Sequence, residues 1–198
     1  MPWPPVGVAR RRGYHVGNLR ALLLDEARAL LEEGGLGKLN LRTLAARAGI
    51  APGSVYHHYA SKQALLAGLA AEGFGEFEAA LRSAAATAGD APIRATALAY
   101  FGFARAQPAL YGLMFDPAVL ADPDVAAARD RVFAVLETAI AQAPTQQDRD
   151  ADIIHKVALA VWACGHGAAS MMLADPIDTE GGLMEDVIQG LEALFRRR

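Results

Sequence analysis

A chain of 198 residues, 53% apolar and 21% charged, can build one mid-sized core or a small domain docked on a larger one, and is too apolar to stay disordered. One cysteine, Cys164, excludes an intramolecular disulfide, and the absence of about 18 uninterrupted apolar residues argues against a membrane span. The formal charge of −3 is unevenly spread: residues 1–62 carry nine basic against four acidic side chains, net +5, and the remainder carries −8, so a basic end that steers phosphate sits on an acidic body.

Residues 1–17 are rich in proline and glycine and end in the basic cluster Arg10, Arg11 and Arg12, which reads as a mobile basic arm. Trp3 stands between prolines with no apolar core after the arginines, so the start is not a secretory signal and a cytoplasmic protein is expected. From Leu19, the residues Leu22, Leu23, Ala27, Leu30 and Leu31 recur at steps of three and four, predicting a helix that Gly34 and Gly35 end. Asn40 is placed to cap a short helix over 41–48 with Leu44, Ala45 and Ala48 inward. Gly49 supplies a tight turn, and Pro52 suits the first position of a second short helix reaching about Tyr59. Ser61 then caps a longer helix through Leu65, Leu66 and Leu69. Two short helices joined by a glycine turn, with a supporting helix before them, are the pattern of a helix-turn-helix.

The remaining chain breaks near Pro92, Pro108, Pro117, Pro123, Pro144 and Pro176, and each proline can open a further helix. No segment alternates with a period of two. The expected fold is all-α: a flexible arm (1–17), a three-helix DNA-binding domain (18–65) and a helical bundle for sensing and dimerisation (66–198). Its last two helices, roughly 147–174 and 179–196, are expected to pair across a homodimer through Ala158, Ala160, Ala168, Ala169, Ile188, Leu191, Leu194 and Phe195.

Catalysis would need a converging nucleophile and base, paired carboxylates or a metal set. Cys164 and His166 are two positions apart on a helix and face different ways, and Cys164 reads as a small buried residue. His155 and His166, eleven residues apart at about 1.5 Å each, are separated by about 16 Å and cannot share a metal. No catalytic, metal or cofactor site is therefore expected. A small helical enzyme or a protein-interaction module without DNA is the competing reading, and it leaves the basic end unexplained.

The ordered run from Arg42-Thr43-Leu44-Ala45 through Ala48-Gly49-Ile50, then Pro52-Gly53-Ser54-Val55-Tyr56-His57-His58-Tyr59 and Ser61-Lys62, resembles the TetR/AcrR (tetracycline-repressor) family of transcriptional regulators. Further on, Trp162-Ala163-Cys164-Gly165-His166-Gly167, preceded by Tyr100-Phe101 and Pro108-Ala109-Leu110-Tyr111, is similar to the subgroup with a Trp-x-x-x-His-Gly regulatory domain. The resemblance implies a homodimeric repressor that leaves double-stranded operator DNA when a small molecule enters the body.

It assigns Arg42, Thr43, Pro52, Gly53, Ser54, Tyr56, His57, His58 and Lys62 to DNA. Arg42 can reach guanine or only a phosphate. Gly53 and Ser54 stand at the end of the recognition helix that enters the groove, or serve ordinary turn chemistry. A lysine just after the Ser61 cap is misplaced against the helix dipole unless a phosphate joins it, although solvation at small cost is the alternative. Tyr56 and His58 suit backbone phosphates, His57 faces the groove or solvent, and Tyr59 belongs to the core. Many relatives carry Ser or Thr at the place of Ala51; losing that cap costs roughly 0.5–2 kcal/mol of helix stability, predicting a recognition helix that orders fully on DNA. In the body, Phe101, Arg105, Tyr111, Phe115, Trp162 and His166 are the candidate effector site, a mainly apolar pocket with His166 as polar anchor and Arg105 as a weaker one.

Overall fold

Prolines punctuate this fold. The computed structural model describes residues 19–144, 149–174 and 182–195, and among them it holds ten α-helices and no strand. The first four are α1 (Leu19–Lys38), α2 (Leu41–Ala48), α3 (Pro52–His58) and α4 (Lys62–Thr87). The body continues with α5 (Pro92–Ala106), α6 (Pro108–Met114), α7 (Pro117–Leu120), α8 (Pro123–Gln142), α9 (Ala151–Ala174) and α10 (Gly182–Phe195). Pro52, Pro92, Pro108, Pro117 and Pro123 each open a helix, where the missing N–H would have had no partner. The basic arm, with Arg10, Arg11 and Arg12, and the side chains of Leu194 and Phe195 lie outside the described residues.

Local chemistry sets the boundaries. The regular part of α1 stops where Gly34 and Gly35 leave helical backbone, Gly35 at φ 67°. Asn40 caps α2 by accepting from the Thr43 amide at 2.9 Å, and Gly49 closes it at φ 69°. Ser61 Oγ accepts from the Ala64 amide at 3.1 Å and starts α4.

α4 is the spine. Its 26 residues run from the N-terminal helices deep into the body, so the expected boundary at residue 65 falls inside one continuous helix. Leu65, Leu69, Phe74, Phe77 and Leu81 are buried along it, each apolar side chain contributing about 1.5–3 kcal/mol, and the helix packs most extensively on α5 and α8. At Gly73 a methyl group would stand 2.9 Å from the Met114 sulfur, so glycine lets α6 press directly on the spine. One apolar core continues from Leu23 and Leu44 at the N-terminal end to Val132 and Ile188 in the body.

α9 departs from expectation in three ways. Among the described residues it alone is long and apolar enough to cross a membrane by length and composition, which a search for uninterrupted apolar runs missed because His155, Lys156 and His166 interrupt it. Second, Cys164 is exposed, because it lies on the outward face with Leu159, Ala160, Ala163, Gly167 and Met171. Third, Ala158, Ala168, Ala169 and Ile188, expected at a dimer seam, are buried within the chain, where α9 and α10 close on the body.

Candidate nucleic-acid interface and apolar chamber

In α3 only Val55 and the following Tyr59 are buried, as their spacing of four dictates, while Pro52, Gly53, Tyr56, His57 and His58 are exposed and Ser54 is half-buried. Tyr56 keeps 52% of its surface in solvent, an unusual exposure for a tyrosine on so short a helix. On α2, Leu41, Leu44 and Ala45 turn inward and leave Arg42 and Thr43 exposed. Ala51 stands at the N-cap of α3 and makes no side-chain cap bond.

Charge at this end is less available than the count of +5 suggests. Arg28 is tied to Glu76 on α4, and Arg47 joins Glu26 and Glu33 on α1, both at 2.6 Å. The Lys62 ammonium donates to the Leu36 carbonyl at 2.7 Å, fastening the start of α4 to the end of α1, an anchorage that neither sequence reading of this lysine included. Arg42 is exposed and makes no ion pair among the described residues.

Between this end and the body lies a polar knot. Arg28 donates to both oxygens of Glu76, at 2.5 and 2.7 Å, and also to Gln107 Oε1 at the joint of α5 and α6. The guanidinium holds the Glu76 carboxyl below the ordinary carboxylate range, and Glu76 in turn raises Arg28. Glu72, one turn earlier on α4, is raised by burial and by the neighbouring Glu76 charge. Beside it the Tyr59 hydroxyl, against Gly68, is buried without a hydrogen-bond partner among the described residues.

In the body, the sequence reading gathers several residues that the structure brings together. Tyr111 and His166 are bonded, the phenol oxygen 2.9 Å from Nδ1, and Tyr100 O–H extends the chain to Tyr111 at 2.8 Å. Burial lowers His166 and so favours the neutral imidazole; in the tautomer protonated at Nε2, Nδ1 accepts from Tyr111 and the relay runs Tyr100 to Tyr111 to His166. Burial also pushes the Tyr111 phenol up to about 12. Phe115 lies 4.4 Å from the His166 ring and 6.1 Å from Trp162. Phe101 is buried and reaches the group through Tyr100 and a narrow apolar cleft shared with Trp162. Arg105 is not drawn in: it is exposed, with its guanidinium at the Met172 sulfur.

That cleft has a volume of only about 30 Å³. A second apolar cavity of about 290 Å³ adjoins it, lined by Ile93, Ala97, Val161, Ile188 and Leu191 beneath Arg94 and Glu192. Sequence reasoning missed it because its walls come from helices far apart in the chain. No cluster of three or more His, Cys, Asp or Glu side chains suited to a metal occurs among the described residues.

Two family descriptions match this chain: "Bacterial regulatory proteins, tetR family" over residues 23–69 and "Tetracyclin repressor-like, C-terminal domain" over residues 93–197. No curated protein matches it significantly. Among solved structures, a protein of unknown function from Rhodococcus sp. RHA1 is similar with a TM-score of 0.76 and 28% identity, over 96% of this chain and 98% of that one. A TetR-family transcriptional regulator from Pectobacterium atrosepticum has a TM-score of 0.71 and 24% identity, over 91% of this chain and 93% of its own. The multidrug-binding protein EbrR, solved with imidazole, is similar in fold with a TM-score of 0.62 at 19% identity, over 90% and 96% of the two chains.

Proposed function

This chain belongs to the TetR family of bacterial regulatory proteins and is a DNA-binding transcriptional regulator; from that premise we propose that a homodimer represses by presenting α2 and α3 to operator DNA and is released by a small apolar effector. The observation that carries the reading is the bare outer side of α2 and α3, where Arg42, Thr43, Gly53, Tyr56, His57 and His58 stand exposed while Leu44, Val55 and Tyr59 anchor the pair from beneath. Pro52 and Gly53 keep the first turn of α3 slim, so its backbone can approach base edges, with Ser54 beside them. Tyr56 and His58 suit backbone phosphates, which orient a protein without reading sequence, whereas Arg42 is the side chain with the donors to read a guanine. Lys62 joins them through its helix start, where amide groups attract phosphate.

One helix-turn-helix covers too little DNA for specificity, and a twofold pair reads half-sites about one helical turn apart. The exposed apolar face of α9, with Leu159 at 49% and Met171 at 62%, supplies the surface such a pair would bury, and α10 leaves Asp186, Gln189, Gly190 and Ala193 exposed. That burial accounts for an apolar α9 without a membrane, and a cytoplasmic place follows for a regulator of this family.

Release requires that effector and operator favour different arrangements of one molecule. The knot of Arg28, Glu76 and Gln107 joins α1, α4 and the α5–α6 joint, and α6 also carries Tyr111 of the relay. A shift of α6 that reorders Tyr111 and His166 would therefore reach α1 through Gln107. The effector site comprises Phe101, Tyr111, Phe115, Trp162 and His166, with Arg105 outside it. Gel shifts on the chain's own upstream region test the proposal. Tyr56→Phe and Lys62→Ala should weaken all sequences alike, and Arg42→Ala should relax preference at one base pair by about 1–3 kcal/mol. Uniform loss for all three substitutions would remove Arg42 from base reading.

A further inference from the structure

The polar relay of the body is already satisfied, and its cleft holds little free space; the 290 Å³ cavity beside it has room and, among the described residues that line it, two carboxylates to one guanidinium. We propose that this cavity, walled by Ile93, Ala97, Val161, Ile188 and Leu191 and lined at its polar side by Asp90, Arg94 and Glu192, is a binding site for an amphiphilic monocation, an apolar tail ending in an amine or quaternary ammonium. The site extends the sensor reading and rests on it only for the regulatory consequence of binding.

The tail follows from the walls, which offer aliphatic surface on α5, α9 and α10. A volume of about 290 Å³ stands at the small end of the roughly 300–1,000 Å³ typical of ligand pockets, so the ligand is a modest one. The cavity and the Trp162 cleft share Ile93, Ala97, Val161 and Leu191, so a tail in the cavity lies one layer of side chains from the aromatic cluster.

The head follows from the rim. Arg94 donates to both Glu185 oxygens at 2.8 Å and reaches Glu192 more loosely at 3.4 Å. One guanidinium thus faces two carboxylates, and Asp90 adds a third at the mouth. The pairing favours the charged forms of its two closest members, raising Arg94 and lowering Glu185. A carboxylate ligand would have to evict Glu192 from Arg94, whereas a cation takes the acceptors that Glu192 leaves unused. Glu185, Ile188 and Glu192 share one face of α10, so an occupant presses on the helix proposed to flank the dimer seam.

Calorimetric titration of the full chain with n-octyltrimethylammonium, octan-1-ol and octanoate at equal ionic strength tests the site. The cation should bind at least about tenfold more tightly than octanoate. Glu192→Gln should weaken the cation and leave octanol unchanged, and Ala97→Leu, which narrows the cavity, should weaken both at an unaltered circular dichroism spectrum. Octanoate binding as tightly as the cation, or a cation affinity indifferent to Glu192→Gln, would overturn the assignment. Anisotropy on operator DNA run in parallel keeps the two readings apart. Normal operator binding without cation binding overturns this site alone, whereas saturable cation binding by a chain that ignores its operator upholds the site and overturns the regulator's release.

Discussion

Tyr59 carries a hydroxyl that the fold does not use. Its ring fills the space over Gly68, with the Arg20 guanidinium 5.4 Å from its centre, but its oxygen is buried without a partner among the described residues. An unsatisfied buried hydroxyl costs about 1–3 kcal/mol, so Tyr59→Phe should stabilise the chain by that order, read as a raised midpoint in urea at unchanged slope. A lower midpoint would mean that the hydroxyl has a partner in solution. His166 sets a second test. Burial depresses its pKa from the ordinary value of about 6.5, so the unfolded chain binds the proton more readily. Stability is therefore intact above about pH 6.5 and falls as the solution is acidified through that value, and the depressed Glu76 adds a loss of the same sign lower down, near the ordinary carboxylate range. Melting temperatures from pH 7.5 to 5.5 should decline more for the unaltered chain than for His166→Gln; equal declines would show that the imidazole titrates as freely folded as unfolded.

Elements divide by how local their causes are. Asn40, Gly49, Pro52 and Ser61 are legible in the sequence because capping and turn chemistry act within three or four residues, and the helix-turn-helix follows from them. The missing cap at Ala51 is equally legible, and Ala51→Ser should raise the stability of α3 by roughly 0.5–2 kcal/mol, checked by amide hydrogen exchange in α3 without DNA. Unchanged exchange would show that α3 is already held by Val55 and Tyr59. The knot is not legible, because Arg28 meets Glu76 and Gln107 across 48 and 79 residues, and a charge count enters Arg28 only as one basic residue of this end. The grouping of Tyr111, Trp162 and His166 could be anticipated, since bulky residues at helical spacing were bound to meet in one core. The direct Tyr111–His166 bond depends on where α6 and α9 cross, and the place of Arg105 at the Met172 sulfur on how α5 meets α9. Arg28→Met keeps much of the side chain's bulk but deletes the donors. It should leave operator affinity close to that of the unaltered chain while reducing effector-induced release, and full release would show that coupling travels elsewhere, for instance through the Gln63–Ala118 bond between α4 and α7.

At the scale of the whole molecule, the residues expected at a dimer seam on α9 and α10 divide: the chain itself buries Ala158, Ala168, Ala169 and Ile188, while Ala160 stays on the outward face. Small residues at helical spacing suit close packing in general, and nothing in their order says whether the neighbour is the same chain or another. Cys164 on the outward face of α9 converts that question into a thiol measurement. In a dimer paired through this face, maleimide should label Cys164 slowly at micromolar protein and rapidly on dilution or in urea; rapid labelling of a particle that scattering shows to be dimeric would place the seam elsewhere.

The central claim is that the bare side of α2 and α3 reads DNA. Fluorescence anisotropy of the chain with a duplex from its own upstream region, against a random duplex across a salt series, tests it most directly. Binding should favour the upstream duplex by about a thousandfold or more and weaken linearly in log salt, with a slope reduced by about one for Lys62→Ala. Equal affinity for both duplexes at every salt concentration would contradict the account.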